Sequence, residues 1–276
     1  MTPTVGAALA QASLVPIEAQ VLLGFVLGCQ RSWLIAHGDD ALTAAQAGAF
    51  FALAKRRRDG EPVAYLTGVR EFWGLPLAVS PDVLIPRPET ETLVEMALLR
   101  IPQDREFRVL DLGTGSGAIA LALAHERPRA SIIASDASGA ALSVAKANAA
   151  RLDLARVTFV RADWYDGVPV GAFDLIVSNP PYVAGDDPHL AEGDLRFEPV
   201  TALTPGANGL DALATIIEGA PARLVAGATV MVEHGHDQAD SVRALLLAAG
   251  LVEPVAARDL AGIWRVAGAR KTPMRS

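Results

Sequence analysis

Cysteine is almost missing from this chain. Cys29 is the only one in 276 residues, which rules out an internal disulfide and any cysteine-built metal cage. A reducing compartment fits that usage. Long hydrophobic runs are missing too: the longest near the start, Val21 to Cys29, falls far short of the roughly 20 residues of a membrane span. No Lys or Arg precedes Arg31 to form the basic start of a signal peptide. We therefore expect a soluble, cytoplasmic protein with no membrane partner. Basic charge is also in deficit, 24 Lys and Arg against 31 Asp and Glu, for a net charge of −7. Surfaces that track phosphates are built from Lys and Arg, so duplex nucleic acid is a poor candidate ligand and no direct nucleic acid contact is expected. Internal repeats and low-complexity tracts are absent. Core material is plentiful: 51% of the residues are hydrophobic, and the length suits one large domain or a large one with a small companion.

From Val5 to about Arg58 the pattern is helical, with Ile17, Val21, Leu22 and Phe25 spaced at i, i+4, i+5 and i+8 and a break at Gly38-Asp39-Asp40. Several short helices in a small bundle are expected. The run Lys55-Arg56-Arg57-Arg58 that closes it reads as a solvated helix end complementing the dipole, or as a docking patch for an acidic partner. Gly60-Glu61-Pro62 marks a boundary, and Ala64 to Val79 reads as a hairpin around Gly68 and Gly74-Leu75-Pro76. Pro86, Arg87 and Pro88 then lead into a helix from Glu91 to Leu99. Arg87, held between two prolines, either faces a cleft or clasps the helix entry.

From Arg108 onward, apolar strand-length runs alternate with helical ones. Strands are expected at 109–112, 131–135, 157–161, 173–178, 228–233, 251–255 and 262–267, and helices at 116–126, 139–152, 211–224 and 238–249. That alternation implies an α/β fold, a mostly parallel sheet with helices on both faces. Asp111-Leu112-Gly113-Thr114-Gly115-Ser116-Gly117 falls where the first of these strands turns into a helix, and its glycines let the backbone approach a ligand closely. Asp136 follows the second strand, where a carboxylate can take both hydroxyls of a ribose. An adenosine-containing cofactor is the natural occupant. Gly113, Gly115 and Ala118 also satisfy the nicotinamide-binding spacing, so the loop alone leaves both open. Asp163-Trp164, after the third strand, suits the adenine end: a carboxylate for the exocyclic amine, a backbone N–H and an apolar wall.

Ser178-Asn179-Pro180-Pro181-Tyr182 ends the strand from Phe173 with a rigid loop. The proline pair fixes two φ angles and supplies no N–H, so the Asn179 and Pro180 carbonyls are free to face a ligand. The Asn179 amide adds an acceptor oxygen, and Tyr182 can pack its ring on a flat group. Such a loop suits a planar nitrogen bearing N–H donors. A plain proline-rich turn is the alternative.

Taken in this order, the glycine loop, Asp136, Asp163 and Asn179 to Tyr182 resemble the class I S-adenosylmethionine-dependent methyltransferases that modify planar nitrogens. Gly60-Glu61-Pro62-Val63-Ala64-Tyr65-Leu66-Thr67-Gly68, Leu84-Ile85-Pro86-Arg87-Pro88-Glu89-Thr90-Glu91 and Arg196-Phe197-Glu198-Pro199 narrow the resemblance to the peptide chain release factor N5-glutamine methyltransferases, the PrmC/HemK family, over essentially the whole chain. The resemblance implies a class I methyltransferase (Rossmann-like) domain at 81–276, a small all-helical substrate-recognition domain at 1–60 and a hairpin linker at 61–80. It further implies methylation of the glutamine amide in the Gly-Gly-Gln tip of bacterial release factors. Carried over by residue, Gly113, Thr114, Gly115, Ser116, Gly117 and Asp136 hold S-adenosylmethionine, which leaves as S-adenosylhomocysteine. Asp163 and Trp164 hold its adenine, and Asn179 also touches the cofactor. Asn179, Pro180, Pro181 and Tyr182 take the glutamine, with Asn179, Pro180 and Tyr182 as the catalytic set. Arg87 and Glu198 are expected on the substrate side, although for Glu198 a structural loop carboxylate fits equally. Ser135 and Ile263-Trp264 depart from the family pattern and put partner contacts, not chemistry, in question.

An amide nitrogen is a weak nucleophile, so such a site works by placement: two carbonyl acceptors, Asn179 Oδ1 and Pro180 O, aim the lone pair and favour the charge developing on nitrogen. Adenine-N6 DNA and ribosomal RNA methyltransferases share the Asn-Pro-Pro-Tyr sequence, but they need a flipped base and usually a basic groove. A dinucleotide-dependent oxidoreductase leaves Asn179 to Tyr182 unexplained. Asp186, Asp187 and His189 form a sparse hard-ligand cluster, and no metal is expected. His234 reads as a strand-end histidine rather than a catalytic one.

Overall fold

The structure is a computed structural model that describes residues 2–206 and 208–273, without the side chains of His189 and Ala191. The chain divides into two compact units, Met1–Val69 with Glu192–Phe197, and Arg70–Ala191 with Glu198–Ser276.

Short capped helices build the first unit: α1 (Val5–Gln11), α2 (Pro16–Leu27), α3 (Arg31–Ala36), α4 (Ala44–Arg58) and α5 (Val63–Thr67). Thr4 caps α1 by accepting from the Ala7 N–H, and Thr43 and Gln46 form a reciprocal capping box at the start of α4. Proline opens α2, and Gly28 in a left-handed conformation closes it. Leu22, Leu23, Leu34 and Phe50 are fully buried around one core. The stripe Ile17, Val21, Phe25 does not join them. These residues are 43%, 39% and 52% exposed, because Ala19, Leu22 and Leu23 take the inward face of α2.

The basic run at the end of α4 is spent within this unit. Lys55 pairs with Asp59, Arg56 with Glu61, Arg58 donates to the Ala12 carbonyl, and Arg57 bridges Glu18 (2.8 Å) and Asp194 (2.7 Å). Arg196 donates to the Asp59 carbonyl, and its guanidinium occupies the space a Cβ on Gly60 would need.

The expected hairpin from Ala64 is corrected in its first half. Residues 63–67 are helical, anchored by the burial of Leu66 in the helical core and stopped by left-handed Gly68. Only β1 (Val69–Phe72) and β2 (Leu75–Ala78) are strands, joined by Trp73-Gly74, both at positive φ as a tight type I′ turn demands.

In the second unit a single 3₁₀ turn, Pro88–Thr90, leads into α6 (Glu91–Leu98). Then come β3 (Phe107–Leu112), α7 (Ala118–Glu126), β4 (Ala130–Asp136), α8 (Gly139–Arg151), β5 (Thr158–Arg161), β6 (Phe173–Ser178), α9 (Val200–Leu203), α10 (Asp211–Arg223), β7 (Leu224–Glu233), α11 (Ala239–Ala248), β8 (Val252–Arg258) and β9 (Trp264–Arg270). Helix α7 starts two residues later than the sequence suggests, because Gly117 holds φ at 87° and belongs to the loop.

The strands form one seven-stranded sheet in the order β5-β4-β3-β6-β7-β9-β8, parallel except for β9, which runs antiparallel to both its neighbours. One face packs on α6 and α7 through Leu93, Val94, Leu121 and Val109. The other packs on α10 and α11 through Leu110, Ile176, Ile216 and Leu246. Successive connections leave β3 toward one edge and β6 toward the other, so a crevice opens at the carboxyl ends of β3 and β6, where α/β sheets bind ligands. Leu112 pairs with both Ser135 and Ser178, and Ser178 pairs with Val232, so the ends of β4, β3, β6 and β7 are level there.

Candidate active site

A cavity of about 370 Å³ lies at that crevice, within the range of small-molecule sites. Its floor is the loop after β3. Gly113, Gly115 and Gly117 all sit at positive φ, and a Cβ on Gly117 would come within 3.0 Å of Leu121 and 3.3 Å of Ala145, so the third glycine is a packing requirement of α7 on α8. Gly113, Thr114, Gly115 and Ser116 line the cavity; Gly117 does not.

Asp136, at the end of β4, closes the loop. Its Oδ2 accepts from the Gly115 N–H (2.9 Å) and its Oδ1 from the Ser138 N–H (2.8 Å). Burial raises its pKa, and those two N–H groups oppose the rise. Each carboxylate oxygen keeps a second lone pair for a ligand hydroxyl. Asp111 lies beneath, fully buried, bonded through Oδ2 to the Thr114 hydroxyl at 2.6 Å. Desolvation pushes its pKa up to about 7. Asp163 and Trp164 line the cavity after β5, with Trp164 at φ 47° laying its ring near Gly113.

Asn179 and Pro181 line the cavity after β6, while Pro180 and Tyr182 do not. Asn179 Nδ2 donates to Thr90 Oγ1 at 3.0 Å, which leaves Oδ1 as the acceptor. No described group donates to the Pro180 carbonyl. Tyr182 is placed behind the loop, packed on the α10–α11 core, with its hydroxyl donating to Glu233 Oε1 at 3.0 Å. Arg87 lines the cavity and is the one Lys or Arg among its described lining residues. It forms a short ion pair with Glu198, whose fully buried side chain also accepts from the Ile85 N–H. The two alternatives weighed for Arg87 thus coincide: it clasps the helix entry and faces the cleft.

His234 is buried and does not line the cavity. Its Nδ1 contacts the Gly235 carbonyl, and burial lowers its pKa, which keeps the ring neutral. The His189 side chain lies outside the described residues, and no group of three or more potential metal ligands occurs among those described.

Four supporting residues escaped the sequence reading. Asn148 of α8 accepts from the Ala78 N–H (2.6 Å) and donates to the Ala78 and Ser116 carbonyls, tying the hairpin to the glycine loop; its signal was a lone amide in an alanine-rich helix. Gln238 donates to the Tyr182 carbonyl at 3.0 Å. Thr90 and Glu233 were in view only as the end of a motif and the end of an apolar strand.

Two family models match this chain, a PrmC N-terminal domain over residues 5–68 and a methyltransferase small domain over residues 90–195. A release factor glutamine methyltransferase of Bordetella pertussis is 54% identical over 261 residues, covering 94% of this chain and 96% of that protein. One from Escherichia coli K12 is 48% identical over 249 residues, 90% of each. Among solved structures, a methyltransferase from Pyrococcus furiosus superposes with a TM-score of 0.56 at 19% identity, over 79% of this chain and 97% of that one, which is a likeness of fold. By identity and coverage together, the chain belongs to the release factor glutamine methyltransferase family.

Proposed function

We propose that this enzyme transfers a methyl group from S-adenosylmethionine to the side-chain amide nitrogen, N5, of the glutamine in the Gly-Gly-Gln tip of bacterial peptide chain release factors, and so acts on translation termination in the cytoplasm. The observation that carries the reading is the bond from Asn179 Nδ2 to Thr90, which commits the donor end of the amide and leaves Oδ1 to accept. With the Pro180 carbonyl it makes a pair of acceptors on one rigid loop at the mouth of a nucleoside-sized cavity.

The residues around the cavity fit the cofactor. Gly113 to Ser116 allow close backbone approach, Asp136 retains lone pairs for ribose hydroxyls, and Asp163 with Trp164 offers a carboxylate and an aromatic wall for adenine. When bound, the cofactor supplies an electrophilic methyl group on sulfur. The protein's part is orientation. Asn179 Oδ1 and Pro180 O take the two N–H groups of the glutamine amide, hold its nitrogen lone pair in line and favour the positive charge that grows there. No general base is needed: once the methyl is on nitrogen the amide is cationic and strongly acidic, and its surplus proton passes to solvent water to leave the neutral N-methyl amide. Arg87, its charge shared with Glu198, is the cation available to substrate carbonyls. Tyr182 is assigned to holding the loop rather than covering the amide. The helical unit offers the body of the factor an apolar stripe, Ile17, Val21 and Phe25. No helix among the described residues is long and apolar enough to cross a membrane.

The test is incubation with methyl-labelled cofactor, a release factor, its Gln→Ala tip variant, duplex DNA and ribosomal RNA. Label on the unmodified factor alone is expected. Label on nucleic acid alone would keep the cofactor site and overturn the substrate.

A further inference from the structure

The loop that carries Asn179 and Pro180 is pinned at both ends. At its start Ser178 pairs with Leu112 and Val232 in the sheet, and its Oγ donates to the Leu112 carbonyl at 2.7 Å. At its end Tyr182 is held twice: its hydroxyl donates to Glu233 Oε1 at 3.0 Å, and its carbonyl accepts from Gln238 Nε2 at 3.0 Å. Gln238 is half-buried at the N-cap of α11 and does not line the cavity. Its Oε1 accepts from the Gly235 N–H at 2.9 Å, and its NH₂ also reaches the Gly209 carbonyl at 3.4 Å. Two glycines make room for this amide. A Cβ on Gly209 would come within 2.5 Å of the Tyr182 carbonyl oxygen and 3.0 Å of Gln238 Nε2, and one on Gly235 within 3.1 Å of Gln238 Oε1.

These contacts leave the Gln238 amide a single orientation, because a backbone N–H is met only by its oxygen and a carbonyl only by its NH₂. One side chain thus joins the loops after β6, before α10 and after β7. We propose that Gln238 is a positioning residue for methyl transfer: by donating to the Tyr182 carbonyl it sets where the Asn179 and Pro180 acceptors stand. Pro180 and Pro181 have fixed φ angles, so the short loop has little slack, and a shift at the Tyr182 carbonyl passes back to the Pro180 carbonyl. In-line transfer tolerates little misplacement. Asp136, Asp163 and Trp164, assigned to ribose and adenine, follow β4 and β5 and take no part in this junction. The proposal rests on the reading of Asn179 and Pro180 as acceptors for the glutamine amide.

The test uses the full-length enzyme, a release factor, labelled cofactor and single-turnover kinetics, with cofactor Kd by calorimetry. Gln238→Glu keeps the oxygen that meets Gly235 but turns a second oxygen toward the two carbonyls, and Gln238→Met keeps the length without either polar end. Each is expected to lower the transfer rate by about 10²-fold, as misplacement by about an ångström does, with KM for the factor and cofactor Kd within about twofold. Hydrogen exchange gives a readout that needs no substrate. Val183 and Gly185 donate to the Leu203 and Gly206 carbonyls at the loop exit, and in both variants their amides should exchange about tenfold faster while those of β6 do not change. Transfer close to wild type, a matching loss of cofactor affinity, or unchanged exchange at Val183 and Gly185 would overturn the proposal. Asn179→Ala, run beside them, separates the two levels: if it transfers normally, the acceptor reading itself fails, whereas if it is inactive and Gln238→Glu is not impaired, only the role of Gln238 fails. Should Gln238→Glu not fold, Gln238→Met carries the test.

Discussion

Asn179 and Asp136 both line the cavity, and the proposed function gives them opposite halves of the reaction, so substitution should separate them. Asn179→Ala removes the proposed substrate acceptor. We expect it to cut transfer by roughly 10²- to 10³-fold, the scale of a lost transition-state hydrogen bond, with cofactor affinity nearly unchanged in calorimetry. Asp136→Ala removes a partner from two loop N–H groups as well as the proposed ribose contact, and should weaken cofactor binding by roughly tenfold to a hundredfold, the worth of a charged hydrogen bond. Asp111 gives a pH signature instead. Its folded-state pKa of about 7 lies above the unfolded value of 3.8, so its contribution to stability is full below the unfolded value and is lost as pH rises through about 7. The melting temperature should therefore fall from pH 5 to pH 8, and Asp111→Asn, which keeps an acceptor for Thr114, should flatten that slope. An unchanged slope would remove Asp111 as its source. In the sequence Asp111 was legible as part of the strand that leads into the glycine loop and Asp136 as a carboxylate just after the next strand; how burial shifts their titration was not, because it depends on which elements close over them.

At the scale of elements, the glycine loop is held by packing as well as by its own conformation. Asn148 joins α8 to the Ala78 backbone and to Ser116, so Asn148→Ala should cost about 2 kcal/mol through buried backbone groups left unpaired, read from the denaturant midpoint, and should weaken cofactor binding alongside. The strands and most helices were legible because apolar runs and glycine breaks declare them. The first half of the expected hairpin was not. Residues 63–67 carry Val, Tyr and Thr, which favour strands locally, but Leu66 buries in the helical core and that tertiary contact overrides the local preference. The stripe Ile17, Val21, Phe25 has helical spacing, yet spacing cannot say which of two apolar faces turns inward.

At the scale of the molecule, that outward stripe gives a prediction about the partner. Val21→Asp with Phe25→Asp should leave folding intact, since both side chains are substantially exposed, and should raise KM for an intact release factor. Transfer to a short Gly-Gly-Gln peptide should be unchanged. Equal effects on factor and peptide would show that the helical unit does not carry recognition. Taken alone, the sequence determined the alternating architecture, the glycine loop with its following carboxylates, and the Asn-Pro-Pro-Tyr turn. It could do so because these are local: a few adjacent residues restrict φ or supply a donor regardless of what surrounds them. Only the tertiary structure decided that Tyr182 lies behind the loop with its hydroxyl on Glu233, that Arg87 answers Glu198, and that Thr90 meets Asn179. Those residues come from separate strands, turns and loops, and they become neighbours only when the parallel sheet brings its carboxyl ends level. Burial then makes each unpaired polar atom costly enough to fix the orientation of the next.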